Sequence, residues 1–204
     1  MRKVLRYAMI ASLVFLCGSG LSLSRMESFL HECFGIAMFA CVILHLAMNR
    51  KWFSGLFKGN FSTNRVLITV IDLILIMAIL LIVSSSLTIS GYIFSFLKMK
   101  GALWGRRIHL VTTAWLFVLC GIHYGMHLKT GKRNPFLYAS AICGAVAFVI
   151  CRFYERLFLA SEFAYMPSIP EPIFYLMHML MFLSFVYIGS EMKRVTMTKR
   201  SKYD

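Results

Sequence analysis

The segment His109-Leu-Val-Thr-Thr-Ala-Trp-Leu-Phe-Val-Leu-Cys-Gly-Ile-His123 carries two histidines fourteen positions apart, and His31-Glu-Cys-Phe-Gly-Ile-Ala-Met-Phe-Ala-Cys-Val-Ile-Leu-His45 repeats the interval. At about 100° and 1.5 Å per residue, fourteen positions of α-helix return a side chain to within roughly 40° of its starting azimuth, about 21 Å further along the axis. Each pair therefore lies on one helix face. The residues between the histidines are almost all apolar, which reads as helix in lipid.

Composition places the whole chain in the same setting. Its 204 residues are 59% hydrophobic and 15% charged, with a mean hydropathy of +0.74, which fits lipid as the solvent and excludes an ordinary water-soluble globule. Apolar stretches near 4–24, 28–49, 66–88, 107–128, 136–157 and 172–191 are each about the twenty residues that cross a hydrocarbon core. The expectation is an all-α, polytopic bundle of six transmembrane helices forming one unit over 1–204. Within it, 28–128 is the core that carries the histidine pairs, and 129–204 adds two helices and a basic tail.

Charge orients these spans. With the N-terminus in the cytoplasm, that side receives Arg2, Lys3, Arg6, Arg50, Lys51, Lys58, Arg65, Lys129, Lys132, Arg133, Lys193, Arg194, Lys199, Arg200 and Lys202, fifteen of the 22 basic residues. The other side receives Arg25, Lys98, Lys100, Arg106, Arg107, Arg152 and Arg156, together with Glu27, Glu32, Glu155, Glu162 and Glu171. Both termini are then cytoplasmic, and the net charge of +14 is mostly a topology signal. No nucleic-acid partner is expected.

The first apolar run follows Met1-Arg-Lys as a secretory signal would, but no A-x-A-like site follows and large residues precede Cys17. The run is expected to remain a helix. The six cysteines (Cys17, Cys33, Cys41, Cys120, Cys143, Cys151) fall in or beside predicted spans with no C-x-x-C pair, so neither a disulfide framework nor a zinc site is indicated and they read as small packing residues. The 14 methionines are spread through apolar helices as core filling.

In this topology the second and fourth spans both run from outside to inside. His31 and His109 then meet near the outer surface, and His45 and His123 near the cytoplasmic one. Imidazoles offered by neighbouring helices at two levels are the arrangement that ligates two stacked haem irons. Gly35 and Thr113, one turn inward from the outer ligands, are small enough to leave room for a porphyrin, or serve ordinary small-residue packing.

Further residues carry the resemblance to a family. His31-Glu-Cys-Phe-Gly-Ile with His45-Leu-Ala-Met-Asn-Arg-Lys-Trp-Phe, and Phe94-Ser-Phe-Leu with Gly105-Arg-Arg-Ile-His109 and Trp115-Leu-Phe-Val-Leu-Cys-Gly-Ile-His123-Tyr-Gly-Met-His127, look like the two halves of the flavinylation-associated cytochrome domain. These small bacterial membrane proteins are similar in their histidine pattern to cytochrome b and to the membrane part of ferric reductases. The resemblance covers about 30–128 through the joint H-x13-H and H-x-G-x-H patterns, and the last two spans lie outside it. It implies b-type haem, a bacterial cytoplasmic membrane and partnership with an extracytoplasmic flavin-binding protein.

Other polar residues divide between haem neighbours and packing. His127, eighteen residues from His109, competes with His123 as a ligand, but the level of His45 favours His123 and leaves His127 for a propionate, a quinone or water. His178 is expected to pack, with a quinone or a third cofactor as the functional reading. Arg106 or Arg107 is expected to pair with haem propionates and Lys98 and Lys100 to dock an acidic partner, against lipid-headgroup contact. Asp72, the one acid well inside a span, should face the bundle at the depth of His45. It serves there as an acceptor for a ligand imidazole N–H, as a proton carrier, or in a hydrogen bond to Asn64, a serine or the backbone.

No G-x-G-x-x-G or P-loop pattern is present, so the chain binds neither NAD(P)H nor FAD in a domain of its own. Electrons would enter from quinol or a cytoplasmic donor and leave to an outer flavoprotein or other acceptor, with haem supplying the chemistry and no catalytic residue assigned. The competing class is a non-redox membrane transporter or scaffold whose histidines bind protons or a metal ion. Transporters of that kind commonly carry interrupted helices and inverted repeats, whereas the two histidine-bearing segments here are parallel and uninterrupted.

Overall fold

A computed structural model describes residues 2–19, 25–97, 99–129, 134–160 and 168–200. Among them every regular element is helical: α1 Arg2–Ser19, α2 Arg25–Met48, α3 Arg50–Gly55, α4 Thr63–Ile89, a 3-10 turn Ser95–Leu97, α5 Ala102–His127, α6 Pro135–Ile150, α7 Phe153–Phe158 and α8 Glu171–Arg200. Stretches Ser28–Met48, Thr63–Ile89, Ala102–His127 and Glu171–Met197 are long and apolar enough to cross a membrane. These four mark a membrane protein. The six-span expectation extends further than this, because α1 carries three basic residues in its first turns and α6 is only 16 residues long.

Local chemistry sets the helix ends. Ser62 caps α4 by accepting from the Arg65 backbone N–H at 3.4 Å, and beyond Arg65 only Thr69 and Asp72 interrupt the apolar run before Ser84-Ser85-Ser86. Ahead of that cap, the Arg65 guanidinium donates to the carbonyls of Gly55, Lys58 and Asn60 at 2.6–3.0 Å, which folds the α3–α4 connection. Asn134 caps α6 through the Phe136 N–H at 3.0 Å, with Pro135 at the first helical position, where a missing N–H has no consequence.

Predicted span 136–157 is not one helix. α6 ends at Ile150, Arg152 turns into the left-handed region at φ 47°, and α7 runs only to Phe158 before Leu159 does the same at φ 52°. Arg152 pairs with Glu155 across the start of α7. The break folds α7 against α5, where the Trp115 ring nitrogen donates to the Leu157 carbonyl at 3.1 Å.

The centre of the bundle is α5 between α4 and α8. α5 and α8 run in the same direction: Gly121 and Gly125 lie against the α8 backbone from Phe182 to Ser190, and Gly189 lies against Ile122. A Cβ at Gly125 would collide with the Val186 carbonyl, so the absence of a side chain is what permits this approach. α6 packs antiparallel on the other side of α8, with Ser184 donating to the Ala141 carbonyl at 2.9 Å. Phe117, Phe153, Phe182, Met181, Leu116 and Val186 fill the middle.

α2 stands at the edge of this body. It packs along α1, partly through Phe15 and Phe34 at 4.7 Å between ring centres, and makes only sparse backbone contact with α4 and α5. The most apolar stretch of α2 has no buried residue majority to anchor it, since its side chains are half-exposed or exposed apart from Val42. A separation between α2 and the α4–α5 pair is therefore built into the fold, and the histidines face each other across it.

Candidate functional site

Because α2 and α5 are co-directional, equal spacings on them bring their histidines to equal levels. The His31 and His109 rings lie 6.2 Å apart between centres, inclined at 62°. Fourteen residues on, His45 lies close enough to His123 and to Asp72 to interact electrostatically with both. Gly35, one turn from His31, has nothing within 4 Å of where a Cβ would stand.

α4 supports His109 and His123 of α5 from behind. Nδ1 of His109 lies 3.4 Å from the Ser85 hydroxyl and 3.3 Å from that of Ser86. Ser85 donates its own proton to the Ile82 carbonyl at 3.0 Å, which leaves its oxygen to accept from an Nδ1–H. At the other level Nδ1 of His123 lies 2.7 Å from Oδ1 of Asp72. The approach is within ion-pair range but off the line of a hydrogen bond, and neither atom has another partner. Ser86 and Asp72 are themselves fourteen residues apart, so α4 repeats the interval of the helices it braces.

With Nδ1 of His109 and His123 engaged by α4, Nε2 is the nitrogen each ring has left for a ligand. Two metal–imidazole bonds of about 2 Å, plus the distance from each nitrogen to its ring centre, sum to roughly 6 Å for a linear arrangement. The 6.2 Å of the first pair matches that sum. Among the described residues no three or more His, Cys, Asp or Glu side chains converge as a metal cage. His31 and His109 form one pair, and the second level brings His127 and Asp72 beside His45 and His123.

The connection after α4 closes over the first pair. Glu32, next to His31, accepts from the Ser90 hydroxyl at 2.8 Å and from the backbone N–H groups of Gly91, Tyr92 and Ile93 at 2.8–3.3 Å. This carboxylate ties α2 to the α4–α5 loop at the level of His31.

The remaining expected residues are distributed unevenly. His127, exposed at the end of α5, packs against His123 with ring centres 4.6 Å apart and planes tilted by 57°, and lies near Asp72, Lys193 and His45. Arg106 is exposed on the first turns of α5, and Arg107 is half-buried over the Trp104 ring at 5.9 Å. Lys100 is exposed and Lys98 lies outside the described residues. Thr113 turns its hydroxyl to the His109 and Leu110 carbonyls. Asn64 accepts from Thr196 at 3.3 Å, so Asp72 takes His123 rather than Asn64.

Glu32, Ser85 and Ser86 were not among the residues expected at the site. The signal for them was present as a carboxylate adjacent to a candidate ligand and a triple serine at the end of an otherwise apolar helix, but each becomes specific only once the partner helix is placed. Comparisons with protein-family models, with curated proteins and with solved structures give no match to this chain.

Proposed function

We propose that the chain is a di-haem b-type membrane cytochrome that carries electrons across the cytoplasmic membrane, from quinol or a cytoplasmic donor to an extracytoplasmic flavoprotein or other acceptor. The single observation that supports it best is the repetition of one fourteen-residue interval on three helices: ligand candidates on α2 and α5, and their supporting groups on α4. His31 with His109 would hold one haem and His45 with His123 the other. Bound there, haem supplies one-electron chemistry at a metal whose potential the protein sets.

The chain's own residues set that potential differently at the two levels. Ser85 and Ser86 present neutral hydroxyls to His109, whereas Asp72 presents a carboxylate to His123. A carboxylate behind an imidazole raises its basicity and favours the oxidised metal, which lowers the potential. With haem held at both levels, Asp72 would lower the potential of the His45/His123 level and so favour transfer towards the His31/His109 level. The excess of basic residues at the termini and on the α3–α4 side supports an orientation with the His45/His123 level and both termini towards the cytoplasm. Lys100 and Arg106, both exposed at the start of α5, offer basic groups suited to an acidic partner.

Histidine substitutions test the assignment. His31→Ala or His109→Ala should remove one haem, and His45→Ala or His123→Ala the other, each leaving about half of the pigment. Full haem content in the His45 or His123 variant would take that residue out of the ligand set and overturn the two-level arrangement.

A further inference from the structure

α7 carries Arg156 into the interior, where only 5% of the residue is exposed. Its Nη1 donates to the Cys17 carbonyl at 3.0 Å and its guanidinium sits 5.6 Å from the centre of the Phe153 ring, while Nε and Nη2 are buried without a partner. Beside it on α8, His178 is fully buried. Its Nδ1 lies 2.9 Å from the Phe174 carbonyl, and its Nε2 is also buried without a partner. Arg156 and His178 are close enough to interact electrostatically. Two polar side chains with unused capacity in one apolar interior are heavily penalised unless something else satisfies them.

The unused atoms are chemically complementary. A carbonyl only accepts, so Nδ1 of His178 carries the ring proton and Nε2 offers a lone pair. The free edge of Arg156 offers only donors. A fitting ligand therefore has one oxygen that accepts and one hydroxyl that donates; a carboxylate would satisfy the guanidinium and leave Nε2 without a donor. The rings of Phe174, Phe153 and Phe117 pack on His178 itself, 4.3, 6.2 and 6.3 Å from its ring between centres, so a ligand reaches Nε2 only when α7 lifts with Phe153. Tyr154 and Phe158 on α7 and Leu159 just beyond it are exposed, an apolar outer side suited to entry of a lipid-soluble ligand.

We propose that Arg156 and His178 form a binding site for the head group of a lipid-soluble hydroquinone, with α7 as its lid. Arg156 donates to one ring oxygen and His178 Nε2 accepts from the hydroxyl of the other. The pivots are Arg152 and Leu159, non-glycine residues held in the left-handed region. Two polar contacts hold the lid down, Arg156 to Cys17 and Trp115 to Leu157. Electrons from such a ligand would enter the path proposed above at its His31/His109 end, the side on which α7 lies, and this purpose rests on that reading; binding itself needs no haem.

Equilibrium binding of decylubiquinol to the full chain in lipid nanodiscs tests the site. The wild type should bind it saturably, one per chain, and Arg156→Lys and His178→Asn should each weaken binding at least tenfold with unchanged helical circular dichroism. If Arg156→Lys fails to fold, His178→Asn carries the comparison together with Trp115→Phe, which releases Leu157 and should speed entry of the quinol. Absence of saturable binding, wild-type affinity in the folded variants, or tighter binding of dodecanoate at the same residues would each overturn the proposal. The visible spectrum of the same samples separates the two readings. A colourless protein that binds quinol removes the electron path and keeps the site, whereas a haem-bearing protein that binds none removes the site alone.

Discussion

Nδ1 of each α5 histidine meets a different group on α4, hydroxyls at His109 and a carboxylate at His123, and the difference has a measurable consequence. In Asp72→Asn both haems should remain, and the midpoint of the second should rise by about 60 mV, the equivalent of a tenfold change in relative affinity for the two oxidation states. Ser85→Ala combined with Ser86→Ala should move the first haem in the same direction by less, because hydroxyls polarise an imidazole more weakly than a carboxylate does. Potentiometric titration of both variants checks the order, and an unchanged titration in Asp72→Asn would leave that residue to packing. The position of Asp72 was legible in the sequence because depth along a helix is a matter of counting residues. The choice between its candidate partners was not, since it depends on the rotation of α4 about its axis, which a nearly uniform apolar run does not encode.

At the scale of elements, α2 depends on one carboxylate more than on its apolar face. Glu32 gathers four donors from Ser90 to Ile93, and hydrogen bonds to a charged acceptor contribute about 1.5–3 kcal/mol each before coupling among them. Glu32→Gln exchanges one acceptor oxygen for a donor facing other donors. It should destabilise the α2 anchorage by about 2 kcal/mol, seen as faster amide exchange at 28–35 and 90–93 and as earlier loss of the first haem on heating. The α5–α8 contact is the other sensitive element: Gly125→Val should lower thermal stability by about 2 kcal/mol or more through forced separation of the helices, measured by circular dichroism. Helix existence was readable from apolar length, and so was the co-direction of α2 and α5. The break between α6 and α7 was not, because Cys151-Arg152-Phe153 carries no glycine or proline, and the turn follows from burying Phe153 and Arg156 together.

For the molecule as a whole, the charge distribution predicts that both ends of the chain stay on one side. A folded reporter fused after Asp204 should resist protease added outside intact cells, and cleavage there would reverse the direction assigned to the electron path. The histidine pairs were visible from spacing alone, since an interval of fourteen fixes level and face at once. The Arg156–His178 site was not, because its residues lie on two consecutive helices, α7 and α8, share no helical interval and meet only once the break before α7 turns Arg156 inward. The most direct test of the central claim is a dithionite-reduced minus oxidised spectrum of the purified chain with a haem-to-protein ratio. Two b-type haems per chain are predicted; a protein folded in lipid that binds no haem would contradict the account and point to histidines that serve protons or a metal ion.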